Sequence, residues 1–178
     1  MPVIGKKVKN SLCQMVRDLL GGNIYEVIVG GASLNKEIED FLTDIGFPTT
    51  VVYGATEAAP VITFTDKSQF ASGSCGLPLS HLEVKIDSTD PQNVPGEIVA
   101  RGINIMQGYY KNEEATRQVL DEEGWYHTGD LATMAADGHI YIRGRIKNML
   151  LGSNGQNVFP EEIEDKLNSM ALVNESLV

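Results

Sequence analysis

Apolar residues recur at Val8, Leu12, Val16 and Leu19. This spacing predicts an amphipathic helix that stops at Gly21-Gly22. The run YEVIV at 25–29 predicts a short strand that enters Gly30-Gly31-Ala32, a stretch nearly free of side chains. Ile38, Phe41, Leu42 and Ile45 restore the helical period, with Ser33 or Asn35 as cap and Gly46 as stop. A β-branched run at 49–52 predicts the next strand. Residues 24–57 therefore read strand–helix–strand, long enough for a parallel crossover. Both strands end in small or polar residues, and open α/β sheets bind ligands at the carboxyl ends of their strands.

The pattern changes after about residue 70. LEVKID (82–87), PGEIVARG (95–102), WYHTGDLATM (125–134) and GHIYIRGR (138–145) are strand-like, several with apolar–polar alternation. Asp137-Gly138 between two such runs signals a hairpin. NEEATRQVL (112–120) predicts a short helix with acids in its first turn. A third piece follows Arg145. NMLL and QNVF flank the turn GSNGQ, and Pro160 opens a helix with Glu161 and Glu162 in its first turn. The final ALVNESLV predicts the start of another strand. The expected fold class is α/β plus β. Residues 1–70 form part of a parallel α/β subdomain, 71–146 an antiparallel β-barrel-like subdomain, and 147–178 the start of an α+β domain.

Composition narrows the function. A chain of 178 residues with 42% hydrophobic and 21% charged residues suits a soluble globular protein. A net charge of −10 without a basic run argues against a nucleic-acid partner. No apolar stretch approaches the roughly 20 residues that span a bilayer. Lys6, Lys7, Lys9, Arg17 and Asp18 interrupt any signal-peptide core. Cys13 and Cys75 lie far apart, so a reducing cytoplasm is expected. His81, His127 and His139 lack zinc-type spacing.

The candidate chemistry is open residue by residue. Gly30-Gly31-Ala32 suits a tight turn, or a surface where backbone approaches a flat ligand. In YGATE (53–57), Tyr53 suits the rim of the core or stacking on a purine. Thr56 and Glu57 suit a cap, or a hydroxyl for phosphate and a carboxylate for a hard cation. Asp130 of TGD suits a turn or the two hydroxyls of a ribose. Arg145 suits a surface ion pair or the same sugar and its phosphate. No GxGxxG follows either strand, which disfavours a dinucleotide fold, and no serine nucleophile elbow is visible.

Read in order, VIVGGASL, YGATE, GEIVARGINIMQGYYKNEEAT, GWYHTGD and DGHIYIRGRIKNMLLGSNGQNVFPEEIE resemble the adenylate-forming superfamily over nearly the whole chain. FLTDIGFPTTVVYGATEAAP, VKIDSTDPQNVPGEI and SNGQNVFPEEIEDKLN look most like bacterial long-chain fatty-acid–CoA ligases. The resemblance implies an acid–thiol ligase acting on a fatty acid, ATP and CoA with Mg²⁺, in the cytoplasm, with room for peripheral membrane contact. Tyr53 would lie against the adenine, with Gly31 and Ala32 as the opposite wall, and Gly54 would also belong to the nucleotide site. Thr56 would bind the α-phosphate and Glu57 the Mg²⁺. Asp130 would take the ribose hydroxyls, with Arg145 helping. Lys147 would be the hinge of a rotating C-terminal domain, and Gly155 would line the CoA channel. The family's glycine-rich phosphate loop and its C-terminal lysine have no counterpart in these residues. The chain is therefore expected to be an internal piece of a longer enzyme, inactive alone. A non-catalytic nucleotide-binding or scaffold module, an aryl-CoA ligase and a peptide-synthetase adenylation domain are the alternatives.

Overall fold

The computed structural model describes residues 5–31, 34–152, 157–170 and 172–178. Helix α1 (Lys6–Leu19) ends where expected, at Gly21 and Gly22, both with positive φ. It buries none of its residues, and Val8, Met15 and Leu19 stay exposed. Asn35 caps helix α2 (Lys36–Asp44), its Oδ1 accepting from the Glu37 and Ile38 amides at 2.9 and 3.3 Å. The other expected cap, Ser33, lies outside the described residues. Strands β1 (Val27–Gly30) and β2 (Thr49–Gly54) flank α2 and pair in parallel, from Val27↔Thr49 to Gly30↔Val52. The expected crossover is thus present.

Strand β3 (Val61–Phe64) turns back antiparallel onto β2, and β4 (Leu77–Pro78) pairs with β3. The four strands form one mixed sheet in the order β1-β2-β3-β4. Sequence periodicity does not announce β3, because four residues after a proline are too few to carry a period. β4 lies beyond the subdomain boundary expected near residue 70, yet belongs to this first sheet.

The second sheet contains β5 (Leu82–Asp87), β6 (Gly96–Gly102), β7 (Tyr126–Met134) and β8 (Ile140–Arg145), each antiparallel to the next. Asp137-Gly138 lies in the β7–β8 turn, where Gly138 has φ +92° and its amide reaches the Ala135 carbonyl. Helix α3 (Glu113–Val119), capped by Asn112, sits between β6 and β7. The barrel expectation is corrected here. The sheet is open, with β5 and β8 as its edges. Four strands are too few to close, since even a small barrel with a filled interior takes about eight.

The core lies between the two sheets. Cys75, Ile86, Ile98, Ala132 and Ile140 form one buried cluster, with Val51 and Tyr53 packed on it. Ala58, Ile62, Leu82 and Ala100 form a second. The Tyr53 ring touches both and joins the end of β2 to the second sheet.

Beyond β8, a single 3-10 turn (Ile146–Asn148) leads to β9 (Leu150–Leu151), which pairs antiparallel with β10 (Asn157–Val158). Pro160 stands in the first turn of α4 (Pro160–Asn168), as expected. The strand expected in ALVNESLV is not formed: residues 173–178 carry no regular structure. Their polar groups turn to α4 instead, Ser176 Oγ to the Glu164 carbonyl and the Val178 amide to the Glu164 carboxylate. No helix among the described residues is long and apolar enough to cross a membrane.

Candidate functional site

Gly54 closes β2 against the chain that returns after the Ala59–Pro60 bend. A Cβ on Gly54 would sit 1.9 Å from the Pro60 carbonyl oxygen, so no other residue fits without moving backbone. The Ala55 amide donates to that same oxygen at 2.8 Å. This close approach starts the 3-10 turn Thr56–Ala58, which presents Thr56 and Glu57 at the end of the strand.

The facing wall comes from the second sheet. Its ladders shift register between Glu97 and Val99 and again between Leu131 and Ala132. Such bulges re-aim side chains. Thr128 Oγ1 donates to the Ile98 carbonyl at 2.8 Å and accepts from the Asp130 amide at 3.1 Å. Gly129 between them has φ +73°, a conformation that favours glycine. Asp130 and Arg145 are ladder partners, and Arg145 Nε lies 2.9 Å from Asp130 Oδ1.

Between the walls lies a cleft of about 1060 Å³. Of the site residues expected from sequence, it gathers Gly31, Gly54, Thr56, Glu57, Asp130, Arg145 and Lys147. Tyr53 is not part of this wall. Its ring packs into the core and its hydroxyl donates to Asp130 Oδ2 at 2.7 Å. Burial, then the charge of Asp130, pushes the Tyr53 phenol far up, so it stays a donor. Ala32 and Gly155 lie outside the described residues.

Four groups that the sequence reading left without a role also shape the site. Tyr109 donates from its hydroxyl to Glu57 Oε1 at 2.7 Å, and this hydrogen bond holds the Glu57 carboxyl below the usual range. Tyr126 lines the cleft, its phenol pushed up by burial and then by the charge of Glu57. His127 Nδ1 lies 2.8 Å from Glu97 Oε2, and its Nε2 lies 3.7 Å from Asp121 Oδ2. The Glu97 contact comes first among the causes that raise the His127 pKa. The other Glu97 oxygen accepts the Gly129 amide at 2.9 Å. Tyr126 and His127 lie within the GWYHTGD run, the one signal that pointed toward them. No spacing links Tyr109 to Glu57, 52 residues away.

The donors are hard oxygens, the Thr56 hydroxyl and the Glu57 carboxylate. Among the described residues no three His, Cys, Asp or Glu side chains converge as a metal cage. One carboxylate in a cleft fits Mg²⁺, which is typically held by one or two carboxylates together with substrate phosphates.

Known proteins resemble this chain in sequence and in fold. Feruloyl-CoA synthase of an Amycolatopsis species is 37% identical over 151 residues, covering 82% of this chain and 30% of that enzyme. Long-chain-fatty-acid–CoA ligase 1 of Saccharomyces cerevisiae is 31% identical over 165 residues, 90% of this chain and 24% of that one. The o-succinylbenzoate–CoA synthetase of Bacillus subtilis, solved with its acyl-adenylate intermediate, superposes with a TM-score of 0.80 at 29% identity. The match covers 92% of this chain and 36% of that one. The same enzyme solved with ATP and magnesium ion gives a TM-score of 0.76 at 28% identity, covering 91% and 36%. The chain thus spans about a third or less of the length of these relatives. The family described as AMP-binding enzyme matches residues 5–110, more than half of the sequence, and the chain belongs to that family.

Proposed function

We propose that this chain is the adenosine-binding part of an ATP-dependent acid–CoA ligase, an internal section of a longer enzyme. The observation that carries the reading is the meeting of Thr56, Glu57, Asp130, Arg145 and Lys147 around one cleft, from segments up to 91 residues apart (147 − 56). Asp130, with Arg145 beside it, accepts the ribose hydroxyls. The backbone at Gly30, Gly31 and Gly54 walls the adenine, with Tyr53 behind it fixing Asp130. Thr56 donates to the α-phosphate. Glu57 would hold Mg²⁺, which would supply positive charge to offset that of the phosphates.

The reaction has two steps. A carboxylate oxygen attacks the α-phosphorus while the bond to the bridging oxygen breaks, giving an acyl-adenylate and pyrophosphate. The CoA sulfur then attacks the acyl carbon, AMP leaves, and the thiol proton passes to solvent. The protein's task in the first step is to position the reactants and to offset charge growing on phosphate oxygens. Lys147 serves as the pivot between the steps.

For the carboxylate we favour a long-chain fatty acid, on the stretches quoted above and the yeast relative. The feruloyl-CoA synthase supports an aromatic acid equally well. The test supplies the full-length protein with ATP, Mg²⁺ and CoA, with palmitate or ferulate in separate reactions, and follows pyrophosphate and thioester. Palmitoyl-CoA is the expected product. Feruloyl-CoA alone would make the protein an aryl-CoA ligase. Nucleotide binding without pyrophosphate release from either acid would leave a non-catalytic module.

A further inference from the structure

We propose that Tyr109 is the positioning residue for Glu57, holding its carboxylate ready for a divalent cation that enters with the nucleotide. The inference rests on the metal role proposed for Glu57. A glutamate has three freely turning side-chain bonds, and a partly exposed one loses entropy when it is held in one place. In this fold that ordering is done before any ligand arrives. The Tyr109 hydroxyl takes Oε1 at 2.7 Å.

The tyrosine is itself fixed from both sides. Toward the Glu57 turn, the Met106 amide donates to the Glu57 carbonyl at 2.7 Å. Asn104 Nδ2 donates to the carbonyls of Ala58 at 2.6 Å and Val61 at 3.1 Å. Toward α3, the Tyr109 amide donates to Thr116 Oγ1 at 2.9 Å, and that hydroxyl donates to the Asn112 carbonyl at 2.8 Å. Gly108 runs close to the same threonine: a Cβ there would meet Thr116 Cγ2 at 2.8 Å. Residues 104–109 therefore form a strap between α3 and the turn that carries Glu57, with the phenol at its end.

Groups that orient a metal ligand from behind commonly matter about 10–100-fold for metal affinity. The phenol suits this task because it donates without adding a competing charge. A Lys in its place would neutralise the carboxylate that the cation needs.

The experiment measures Mn²⁺ binding by electron paramagnetic resonance in the full-length protein with a non-hydrolysable ATP analogue. The wild type, Tyr109→Phe and Glu57→Gln are compared, with AMP affinity in the absence of metal and melting temperature measured alongside. The expected result is Mn²⁺ binding about tenfold or more weaker in Tyr109→Phe, with metal-free AMP affinity and melting temperature preserved. Weaker Mn²⁺ binding in Glu57→Gln but not in Tyr109→Phe overturns the inference and leaves the metal role of Glu57 standing. No change in Glu57→Gln removes that metal role and the inference with it. An equal loss of metal-free AMP affinity in Tyr109→Phe also overturns it, because the phenol would then be shaping the cleft as a whole.

Discussion

The Tyr53 hydroxyl donates to Asp130 at 2.7 Å across 77 residues of sequence. This bond ties the end of β2 in the first sheet to β7, an inner strand of the second. Asp130 is only 9% exposed, and its other oxygen faces Arg145. The carboxylate is thus held from both sides, one a neutral donor in the core and the other a cation at the mouth of the cleft.

Asp130→Ala is expected to weaken nucleotide binding in the full-length protein by roughly ten- to hundredfold, the worth of a charge-assisted hydrogen bond. It should also cost about 1–3 kcal/mol in stability, because the Tyr53 hydroxyl is left unpartnered. Asp130→Asn keeps an acceptor for Tyr53 and should restore much of the stability without the affinity. Calorimetry and denaturant melts separate the two effects. Equal stability of the two variants would mean that the Tyr53 bond contributes nothing measurable.

Gly54→Ala is expected to be far more damaging than its size suggests. The added methyl would overlap the Pro60 carbonyl oxygen at 1.9 Å, so backbone must shift to admit it. Overpacking of this kind typically costs about 1–3 kcal/mol or more. Gly31→Ala is the contrast: a Cβ there meets nothing within 4 Å, although its φ of +82° still disfavours a side chain. A denaturant midpoint for Gly54→Ala equal to the wild type would show that the turn can shift at little cost.

Local signals made much of this legible in advance. The α2 period, the Asn35 cap, the Asp137-Gly138 turn and Pro160 at the start of α4 each follow from chemistry within a few residues, and each appears in the fold. The relationships that build the cleft are of another kind. Glu97 meets His127 and Gly129 across a ladder whose register shifts, Tyr53 meets Asp130 from one sheet to the other, and Tyr109 reaches Glu57 from the loop after β6. A register shift leaves no period in the sequence. The openness of the second sheet is hidden from the sequence for a related reason. Alternation shows that strands pair, but says nothing about whether the first and last strands meet.

His127 supplies a pH dependence with a definite sign. Its contact with Glu97, backed by Asp121, raises its pKa above the ordinary 6.5. A group with a raised folded pKa stabilises fully below its unfolded pKa and loses that contribution as pH rises through the folded value. The melting-temperature difference between the wild type and His127→Gln should therefore be largest near pH 6. It should shrink as pH climbs from about 6.5 through the higher folded pKa of His127. The imidazole is partly exposed, so the effect is screened and modest. A difference that grows with rising pH would reverse the assignment of His127 as a cation held by Glu97.

Lys147 sits inside the 3-10 turn Ile146–Asn148, between β8 and the piece that carries α4. Several contacts reach across it, two of them from β8. Arg143 Nη1 lies 3.8 Å from Glu162 Oε1, and Gly144 runs so close to Glu161 that a Cβ would stand 2.9 Å from its Oε2. A rotation about Lys147 must break both, and a pivot there must be free to change φ. Proline fixes φ near −65° and removes the amide hydrogen. It also biases Ile146 toward extended backbone. In single-turnover reactions of the full-length protein, Lys147→Pro should leave acid-dependent pyrophosphate release in place while thioester formation from the bound acyl-adenylate falls. The two readouts come from one reaction mixture, so a difference in enzyme amount cannot mimic the result. Gly144→Ala provides the complement: it disturbs the packing across the pivot without restricting the pivot itself. It should change the balance between the two half-reactions less than Lys147→Pro does. If both half-reactions fall together in Lys147→Pro, the substitution acts on folding or on the nucleotide cleft, and Lys147 is not the pivot.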